Sequence, residues 1–383
     1  MKRFLAIVLA LSLFMVLTGC DRSGGNSPTA ISGDVARFET GNFSFNKSEL
    51  PRYKIGFLYT DWTSVLGTQF MFAIQYLADA FGCEAVFGNI SSGEEGVNNL
   101  ESLLASGDVD GIISVGMDPA RMEVAQKYGV PVVSACLFPS DQEIASVASY
   151  PGFLGGTIEN DVWAGYHAMK GLYDAGCRAV TWSGLTLGMS KGHDDRAVGV
   201  NQFISEHPDM KLLASSYTLG QWAQDISTFA AVFPELDGMC FSAIGDNLFT
   251  ALVNEGIYDG SVKISGPDVA SMTGEGFQRG IQVWSCGGQY GTVMIGWALL
   301  YNYLIDGTII IRNTSEPIFR PFLEIASLEQ FNQYNSIISS STPVYNAEEI
   351  AALIHYFNPN VTFDDYMRLA NQYSLDDILS RRR

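Results

Sequence analysis

Alternation of short strand-forming runs with amphipathic helical runs is the feature that most limits the fold of this 383-residue chain. Between residues 53 and 136, apolar runs such as YKIGFLYT and VPVVSAC alternate with helical patterns that end in Gly82, Gly107 and Gly129. The alternation restarts at residue 161 and continues to residue 307. Repeated βαβ units of this size predict parallel sheets with helices on both faces. We therefore predict an α/β chain with two similar lobes and a cleft between them.

Charge and composition exclude some classes of partner. The 41 Asp and Glu residues outnumber the 22 Lys and Arg residues, which gives a formal net charge of −19. Nucleic-acid binding needs a basic surface. The three arginines at residues 381–383 are too few to supply one, so we expect no nucleic-acid partner. Apolar residues make up 47% of the chain, which is enough to build folded domains.

The sequence gives little support to an enzyme. The P-loop, the GxGxxG fingerprint and the zinc motif HExxH are absent from it. The most concentrated group of charges is SKGHDDRAVG at residues 190–199, where His193 and two aspartates could be metal ligands. Adjacent residues rarely converge on one ion, and no second cluster of such residues is evident. We therefore predict no catalytic residue, no cofactor and no metal site.

The first twenty residues predict an export signal. Lys2 and Arg3 precede an apolar segment at residues 4–17, which is too short to span a membrane comfortably. The LTGC ending resembles the bacterial lipobox, which implies a lipoprotein signal peptide at residues 1–19 and a lipid anchor on Cys20. A plain secretory signal is the alternative. The Gly/Ser/Pro-rich stretch that follows predicts a flexible tether, so we assign residues 20–52 to the lipidated cysteine and its tether.

The remaining five cysteines form no CxxC pair. Each lies in or beside an apolar run, which favours buried small apolar side chains. Export would permit a disulfide, but the sequence does not select a pair.

Several segments, in order and spacing, resemble one known family. They are DVDGIISVGMDPA, GTIENDVWAGYHAMKGL, DDRAVGVNQFI, SAIGDNLFTALVNEG and ISGPDVA. Together they resemble the type 1 periplasmic binding proteins, in the sugar-binding branch close to ribose- and galactose-binding proteins, over residues 53–325. The resemblance implies two Rossmann-like lobes, each a parallel sheet flanked by helices, joined by a three-crossover hinge.

The resemblance also suggests domain boundaries. We assign residues 53–155 plus 288–306 to the N-terminal lobe and residues 156–287 plus 307–326 to the C-terminal lobe. The hinge crossings are then expected near Gly155, Gly287 and Asp306. The tail at residues 327–383 predicts a C-terminal helical extension that covers the outside of the lobes.

The resemblance implies a set of ligand-binding residues, most of which follow predicted strands. These are Asp61, Trp62, Asp118, Arg196, Trp222, Asp246, Asp268 and Gln289. Sugar rings stack on flat aromatic side chains, and their hydroxyls bind carboxylates, amides and guanidinium groups. The carboxyl ends of parallel strands are also where open α/β sheets bind ligands. Two departures from the family leave the ligand open: Cys136 and Leu137 replace a common Asp-Arg pair, and Gly245 replaces the usual asparagine.

Six of these eight residues also have a purely structural interpretation. Asp118 and Asp246 are suited to helix N-caps, and Asp268 to a turn. Trp62 could be a loop aromatic, Trp222 a helix-capping or core residue, and Arg196 part of a solvated helix start. Trp182 and Trp284 lie within predicted strands and are expected in the core.

The function implied is that of an extracytoplasmic solute-binding lipoprotein of an ABC importer. It would bind a small polar ligand, with a monosaccharide favoured, and close its lobes on it. The expected partners are the ABC permease and, through the lipid on Cys20, the membrane surface; we expect a monomer. A nucleoside-binding lipoprotein of the same fold, or a ligand sensor that docks on a membrane receptor, are the alternatives.

Overall fold

The computed structural model describes residues 47–90, 93–107 and 109–382. The predicted signal peptide, Cys20 and most of the predicted tether lie outside the described residues. Among those described, no helix combines the length and apolarity needed to cross a membrane.

The first lobe is built from alternating strands and helices, as predicted. Ser64 caps the first long helix by accepting a hydrogen bond from the Gly67 backbone, and Gly82 ends that helix in the left-handed conformation, φ 71°. Its elements are β1 (Lys54–Tyr59), α1 (Val65–Phe81), β2 (Glu84–Asn89), α2 (Glu94–Ala105), β3 (Gly111–Ser114), α3 (Pro119–Lys127), β4 (Val132–Cys136), α4 (Ile144–Val147) and β5 (Phe153–Glu159).

The second lobe repeats the pattern. Its first helix is capped by the Asn160 side chain, which accepts from the Trp163 backbone. Its elements are α5 (Asp161–Asp174), β6 (Ala179–Leu185), α6 (Lys191–Glu206), β7 (Lys211–Thr218), α7 (Trp222–Val232), β8 (Gly238–Phe241), α8 (Asp246–Asn254), β9 (Lys263–Ser265), α9 (Thr273–Gln278) and β10 (Gln282–Gly287).

Three further elements return the chain to both lobes. Helix α10 (Tyr290–Asp306) packs against β4 and β5 of the first lobe, β11 (Ile318–Arg320) joins the first sheet, and β12 (Leu323–Ile325) joins the second. The described residues thus form two six-stranded sheets. The first has the order β11-β5-β4-β3-β1-β2, and its pairs are parallel; the second has the order β12-β10-β9-β8-β6-β7, and its pairs are parallel except for β12 against β10.

Within the described residues, the chain crosses between the lobes at residues 160, 288–289 and 321–322. The second crossing lies where the sequence predicts it, near Gly287. The predicted boundaries at Gly155 and Asp306 are wrong, because residues 156–159 complete β5 and residues 307–320 remain with the first lobe.

The glycines of β5 explain the first of these errors. A Cβ on Gly156 would lie only 2.4 Å from the Ser134 carbonyl oxygen, and Gly155 has a φ of 87°. The pair therefore permits close approach of β4 and β5 rather than forming a hinge. The third crossing is missed because β11 has only three residues, too few to show a period.

The C-terminal extension contains helices, but it does more than cover the lobes. Its elements are α11 (Leu328–Ile338), α12 (Ala347–Ala351), α13 (Phe363–Asn371) and α14 (Leu375–Arg381). Helix α12 is a short helix of five residues, and α14 begins with a Ser374–Asp377 capping box. Helix α11 packs on α9 and β12 of the second lobe, whereas α12 packs on α10 and α13 on β11 of the first.

The largest core cluster joins the first lobe to this extension. Helix α10 is buried on most faces, and its Trp297 and Tyr301 lie with Tyr345 and Tyr366 of the extension in one apolar cluster. Among the cysteines that the structure describes, none forms a disulfide; three are buried and two half-buried.

Candidate ligand-binding site

A cavity of about 290 Å³ lies between the two lobes beside the second crossing. It opens at the carboxyl ends of β1, β8 and β9, the edge at which open α/β sheets bind ligands. Its volume is at the lower end of the ~300–1,000 Å³ of small-molecule sites. The first lobe and the crossing contribute Tyr59, Ser64, Val65, Leu66, Gln69 and Gln289. The second lobe contributes Ile244, Gly245, Asp246, Asp268, Val269 and Ala270, and the extension contributes Tyr334.

Asp268 is the most constrained residue of the cavity wall. Its φ of 73° is in the left-handed region. Among the described non-glycine residues, only Asp268 and Cys136, at the end of β4, adopt this conformation. Strained backbone of this kind costs about 1–3 kcal/mol and concentrates at functional sites. Burial raises the pKa of Asp268, while Arg196 and a hydrogen bond from Gln289 oppose the rise. The protein thus holds a half-buried carboxylate at the end of a strand, facing the cleft.

Two other predicted residues line the same cavity. Gln289 lies at the second crossing, where its Nε2 donates to Asp268 Oδ1. Asp246 begins α8, and its Oδ1 accepts from Ser271 Oγ at 2.8 Å and from the Met272 backbone at 3.3 Å. The structure therefore brings Asp246, Asp268 and Gln289 together, as a shared ligand would require.

Arg196 lies behind the cavity wall. It is buried, its Nε is 2.7 Å from Asp161 Oδ1, and its Nη1 donates to the Ser242 carbonyl at 2.6 Å. The same Nη1 is 3.9 Å from Asp268 Oδ2. Arg196 is not one of the lining residues, so in this arrangement its charge reaches the cavity through Asp268.

Close contact between α5 and α6 fixes the position of Arg196. A Cβ on Gly165 would lie 1.9 Å from the Arg196 carbonyl oxygen, and one on Gly199 would lie 2.0 Å from the Val162 carbonyl oxygen. Glycine at both positions lets the helix backbones touch, which holds Arg196 against Asp161 at the start of α5.

Asp61 and Trp62 form the turn that leads into α1. Asp61 is exposed, and hydrogen bonds from Thr63 lower its pKa. Trp62 packs edge-on against Phe57 and Phe87, with ring centroids 5.5 and 5.2 Å apart. Neither residue lines the cavity in this structure.

Asp118 and Trp222 also lie away from the cavity lining. Asp118 caps α3: it accepts from the Arg121 backbone at 2.9 Å and pairs with Arg121 Nε at 2.6 Å. Trp222 begins α7, and its Nε1 donates to the Gly184 carbonyl at 3.0 Å. Both side chains therefore have a structural partner already.

The charged stretch at residues 190–199 separates into individual roles. Lys191 bridges the lobes, 3.3 Å from Asp141 of the first lobe and 3.1 Å from Asp195 of its own helix. His193 Nδ1 lies 2.5 Å from Ser242 Oγ, and burial, with Arg196 nearby, lowers the pKa of His193 to about 3. The imidazole is therefore neutral. Among the described residues, no cluster of three or more His, Cys, Asp or Glu could hold a metal ion.

The same region contains the spacing of a serine-hydrolase elbow, G-x-S-x-G, at residues 188–192. Its Ser190 is the N-cap of α6 with an extended φ of −151°, not the strained turn of an elbow. Among the described residues, no hydrogen-bond partner lies near Ser190 Oγ, so no base activates it. The spacing alone does not make a catalytic site.

Sequence reasoning missed the polar groups that α1 and the extension supply. Tyr59 ends β1, and its position at a strand end is the one signal that could have found it. Burial raises the pKa of Tyr59 to about 12, so its phenol is neutral. Ser64 and Gln69, at the start of α1, and Tyr334, on α11, carry no comparable signal.

The cavity has the chemistry of a polyol site. Two carboxylates, two amides and three hydroxyls face apolar residues such as Leu66, Ile244 and Val269. Among the described residues, its lining contains neither lysine nor arginine, so an anionic ligand would meet carboxylates without a counter-charge in the lining itself. A neutral ligand with many hydroxyls satisfies these donors and acceptors and offers apolar faces to the rest.

No family model matches the sequence, and no curated protein matches it either. Solved structures do match. A periplasmic sugar-binding protein from Pseudomonas fluorescens is similar with a TM-score of 0.65, at 14% identity, over 85% of this chain and 99% of its own.

Two further matches are solute-binding proteins of ABC transporters. One, from Agrobacterium vitis with bound α-D-tagatopyranose, has a TM-score of 0.60 at 17% identity and covers 71% of this chain and 94% of its own. The other, from Actinobacillus succinogenes with bound D-allose, has a TM-score of 0.61 at 18% identity and covers 73% and 99%. Identity this low shows the fold. The chain has the two-lobed type 1 periplasmic binding protein fold, and the fold prediction is confirmed.

Proposed function

We propose that this protein is an extracytoplasmic solute-binding protein that binds a neutral monosaccharide between its lobes. The observation that carries the proposal is the cavity in which Asp246, Asp268 and Gln289 meet, with neither lysine nor arginine among the described residues of its lining. Proteins of the same fold whose structures contain tagatose and allose support the choice of ligand.

Three residues have proposed ligand contacts. Asp268 and Asp246 accept hydrogen bonds from sugar hydroxyls, and Gln289 donates or accepts beside them. Arg196 orients Asp268 and compensates part of its charge from behind. The role of this arginine is then positional rather than a direct contact.

We further propose that the protein serves an ABC importer and is not an enzyme. The hinge crossings permit the lobes to close on a ligand, and the Lys191–Asp141 pair lies where they meet. Lipidation of Cys20 would anchor the protein at the membrane surface, where a permease can receive the ligand. We propose a monomer.

The direct test is thermal unfolding of the chain without residues 1–20 in the presence of candidate ligands. We expect one or more monosaccharides to raise the melting temperature, because a ligand that binds only the folded state stabilises it by RT ln(1 + [L]/Kd). At 100 Kd this is about 2.7 kcal/mol, or a shift of roughly 5 °C. The panel comprises pentoses, hexoses, inositols, nucleosides and amino acids.

The outcomes of this screen separate the ligand classes. A shift with nucleosides and none with sugars overturns the sugar assignment and favours the nucleoside alternative. A shift confined to amino acids overturns the polyol interpretation of the cavity. Bovine serum albumin with the same panel controls for direct effects of the compounds.

A second experiment tests the placement of the site. We expect Asp118→Asn to change sugar affinity by less than about two-fold, because Asp118 is already paired with Arg121 and asparagine also caps helices. Asp246→Asn should weaken affinity by about ten-fold through loss of one charged acceptor. Calorimetric titration of both variants measures this. The reverse order of effects would place the ligand near Asp118 instead of Asp246.

A further inference from the structure

The C-terminal extension is attached to both lobes. Helix α11 packs on the second lobe, and α12 and α13 pack on the first. The extension also reaches the second crossing, because Tyr373 Oη donates to the Gly288 carbonyl, so it lies on the hinge side of the cleft. Residues on the cleft-facing side of the extension are thus in a position to contact what the lobes enclose.

The last arginines hold the extension together as one unit. Arg381 Nε is 2.6 Å from Glu349 Oε1, which ties α14 to α12. Arg382 donates to the Thr342 and Pro343 carbonyls at 2.5 and 2.8 Å, and so fixes the loop after α11. The position of α11 is therefore determined by the whole extension.

Tyr373 attaches this unit to the second crossing. Its hydroxyl donates to the Gly288 carbonyl at 2.6 Å, and its ring lies 3.7 Å from the guanidinium of Arg320. Arg320 itself donates to the same carbonyl at 3.0 Å. The extension is thus bound to the backbone next to Gln289, one of the cavity residues.

Tyr334 extends from α11 to the cavity. Its side chain is buried and lines the cavity together with Gln69, whose Nε2 donates to Tyr334 Oη at 3.4 Å. A Cβ on Gly287 would lie 2.8 Å from that oxygen, so glycine at this position lets the tyrosine reach the crossing. The phenol oxygen accepts hydrogen bonds from Gln69 and from the Gly288 backbone, and among the described residues no acceptor binds its hydrogen, which can therefore donate to a ligand.

We propose that Tyr334 is a ligand contact and that the C-terminal extension is a fourth component of the binding site, beside the two lobes and the crossings. The Tyr334 hydroxyl donates to a sugar oxygen on the hinge side of the cavity. Asp268, Asp246 and Gln289 bind other hydroxyls. This inference rests on the proposed function, because it names a further residue of the same sugar site.

The test compares Tyr334→Phe with Tyr345→Phe. Tyr345 is a buried tyrosine of the same extension, its hydroxyl donates to the Leu369 carbonyl at 3.3 Å, and it does not line the cavity. The probe is the tightest-binding member of a panel of D-allose, D-tagatose, L-arabinose and myo-inositol. We expect Tyr334→Phe to raise the calorimetric Kd by about ten-fold, as loss of one hydrogen bond implies, and Tyr345→Phe to leave it unchanged.

Monodeoxy analogues of the same probe distinguish contact from mere support of the cavity wall. If Tyr334 donates to one hydroxyl of the sugar, the analogue that lacks this hydroxyl should have the same Kd for wild type and for Tyr334→Phe. The other analogues should retain the ten-fold difference in Kd between the two proteins. A Kd for Tyr334→Phe equal to that of wild type, or a loss that is equal for every analogue, overturns the inference and leaves the proposed function standing. If wild type binds neither these four probes nor any sugar of the thermal screen, the proposed function and this inference both fail.

Discussion

Asp268→Asn is expected to weaken sugar binding by about 100-fold or more while the ligand-free protein stays folded. A carboxylate that accepts hydrogen bonds contributes about 1.5–3 kcal/mol for each, and asparagine replaces one charged acceptor oxygen with a donor. The fold should tolerate the change, because asparagine adopts the left-handed conformation more readily than most residues, and φ here is 73°. Calorimetric titration with the tightest sugar measures the loss.

The matched control is Asp364→Asn, which changes the charge equally on the exposed surface of α13.

Stability supplies a second readout for Asp268→Asn. Burial raises the pKa of Asp268, so ionisation of this carboxyl is less favourable in the folded state than in the unfolded state. The free energy of unfolding of wild type should therefore fall as the pH rises from below 3.8 through the raised pKa. The asparagine variant should not show this loss. Unchanged affinity in Asp268→Asn would contradict the proposed site.

The α/β pattern could be predicted from the sequence because it is repeated at many positions. Amphipathic helices such as α1 and α6 carry enough period to be recognised singly, and the long apolar helix α10 and the continuous apolar strands are recognised by composition and length. β5 was missed because its two glycines resemble a hinge, and β11 and β12 because three residues carry no period. Chain crossings depend on these short elements, so their positions could not follow from local pattern.

The candidate site was predictable where it depends on strand ends. Asp268 follows β9 and Asp246 opens the helix after β8, so parallel-sheet geometry places both at the cleft edge. Gln289 came from the resemblance alone. Tyr334 is separated from its cavity neighbour Gln69 by 265 residues in sequence, and no local signal joins them.

The charge cluster shows a different limit. Its residues resemble a catalytic group in sequence, but a helix distributes consecutive side chains around its axis. Arg196 faces Asp161, His193 faces Ser242, and Lys191 faces Asp141 of the other lobe. Sequence proximity therefore did not predict a shared site, because the partners lie in three other segments of the chain.

Arg320→Met is expected to lower the melting temperature by roughly 7 °C, the largest stability effect we predict. Arg320 ends β11 in register with Glu159, which ends β5, and their side chains are 0% and 1% exposed with Nη2 2.7 Å from Oε1. Removing one partner of a buried pair costs about 3–5 kcal/mol, because the other charge stays buried. Differential scanning calorimetry of the ligand-free chain measures the change.

The double variant Glu159→Gln/Arg320→Met distinguishes a lost ion pair from lost packing. Without a charge to leave unpaired, it should recover most of the stability, since neutral replacement of a buried pair is often nearly neutral. Burial raises the pKa of Glu159 and Arg320 opposes that rise, so the single variant should be least stable at high pH, where the unpaired carboxyl must ionise. A single variant that melts like wild type at every pH would contradict this account. Glu159 and Arg320 immediately precede the first and third crossings, and Arg320 also binds the Gly288 carbonyl at the second. Loss of the pair should therefore loosen all three crossings together. It should also weaken sugar binding, although neither residue contacts the ligand directly.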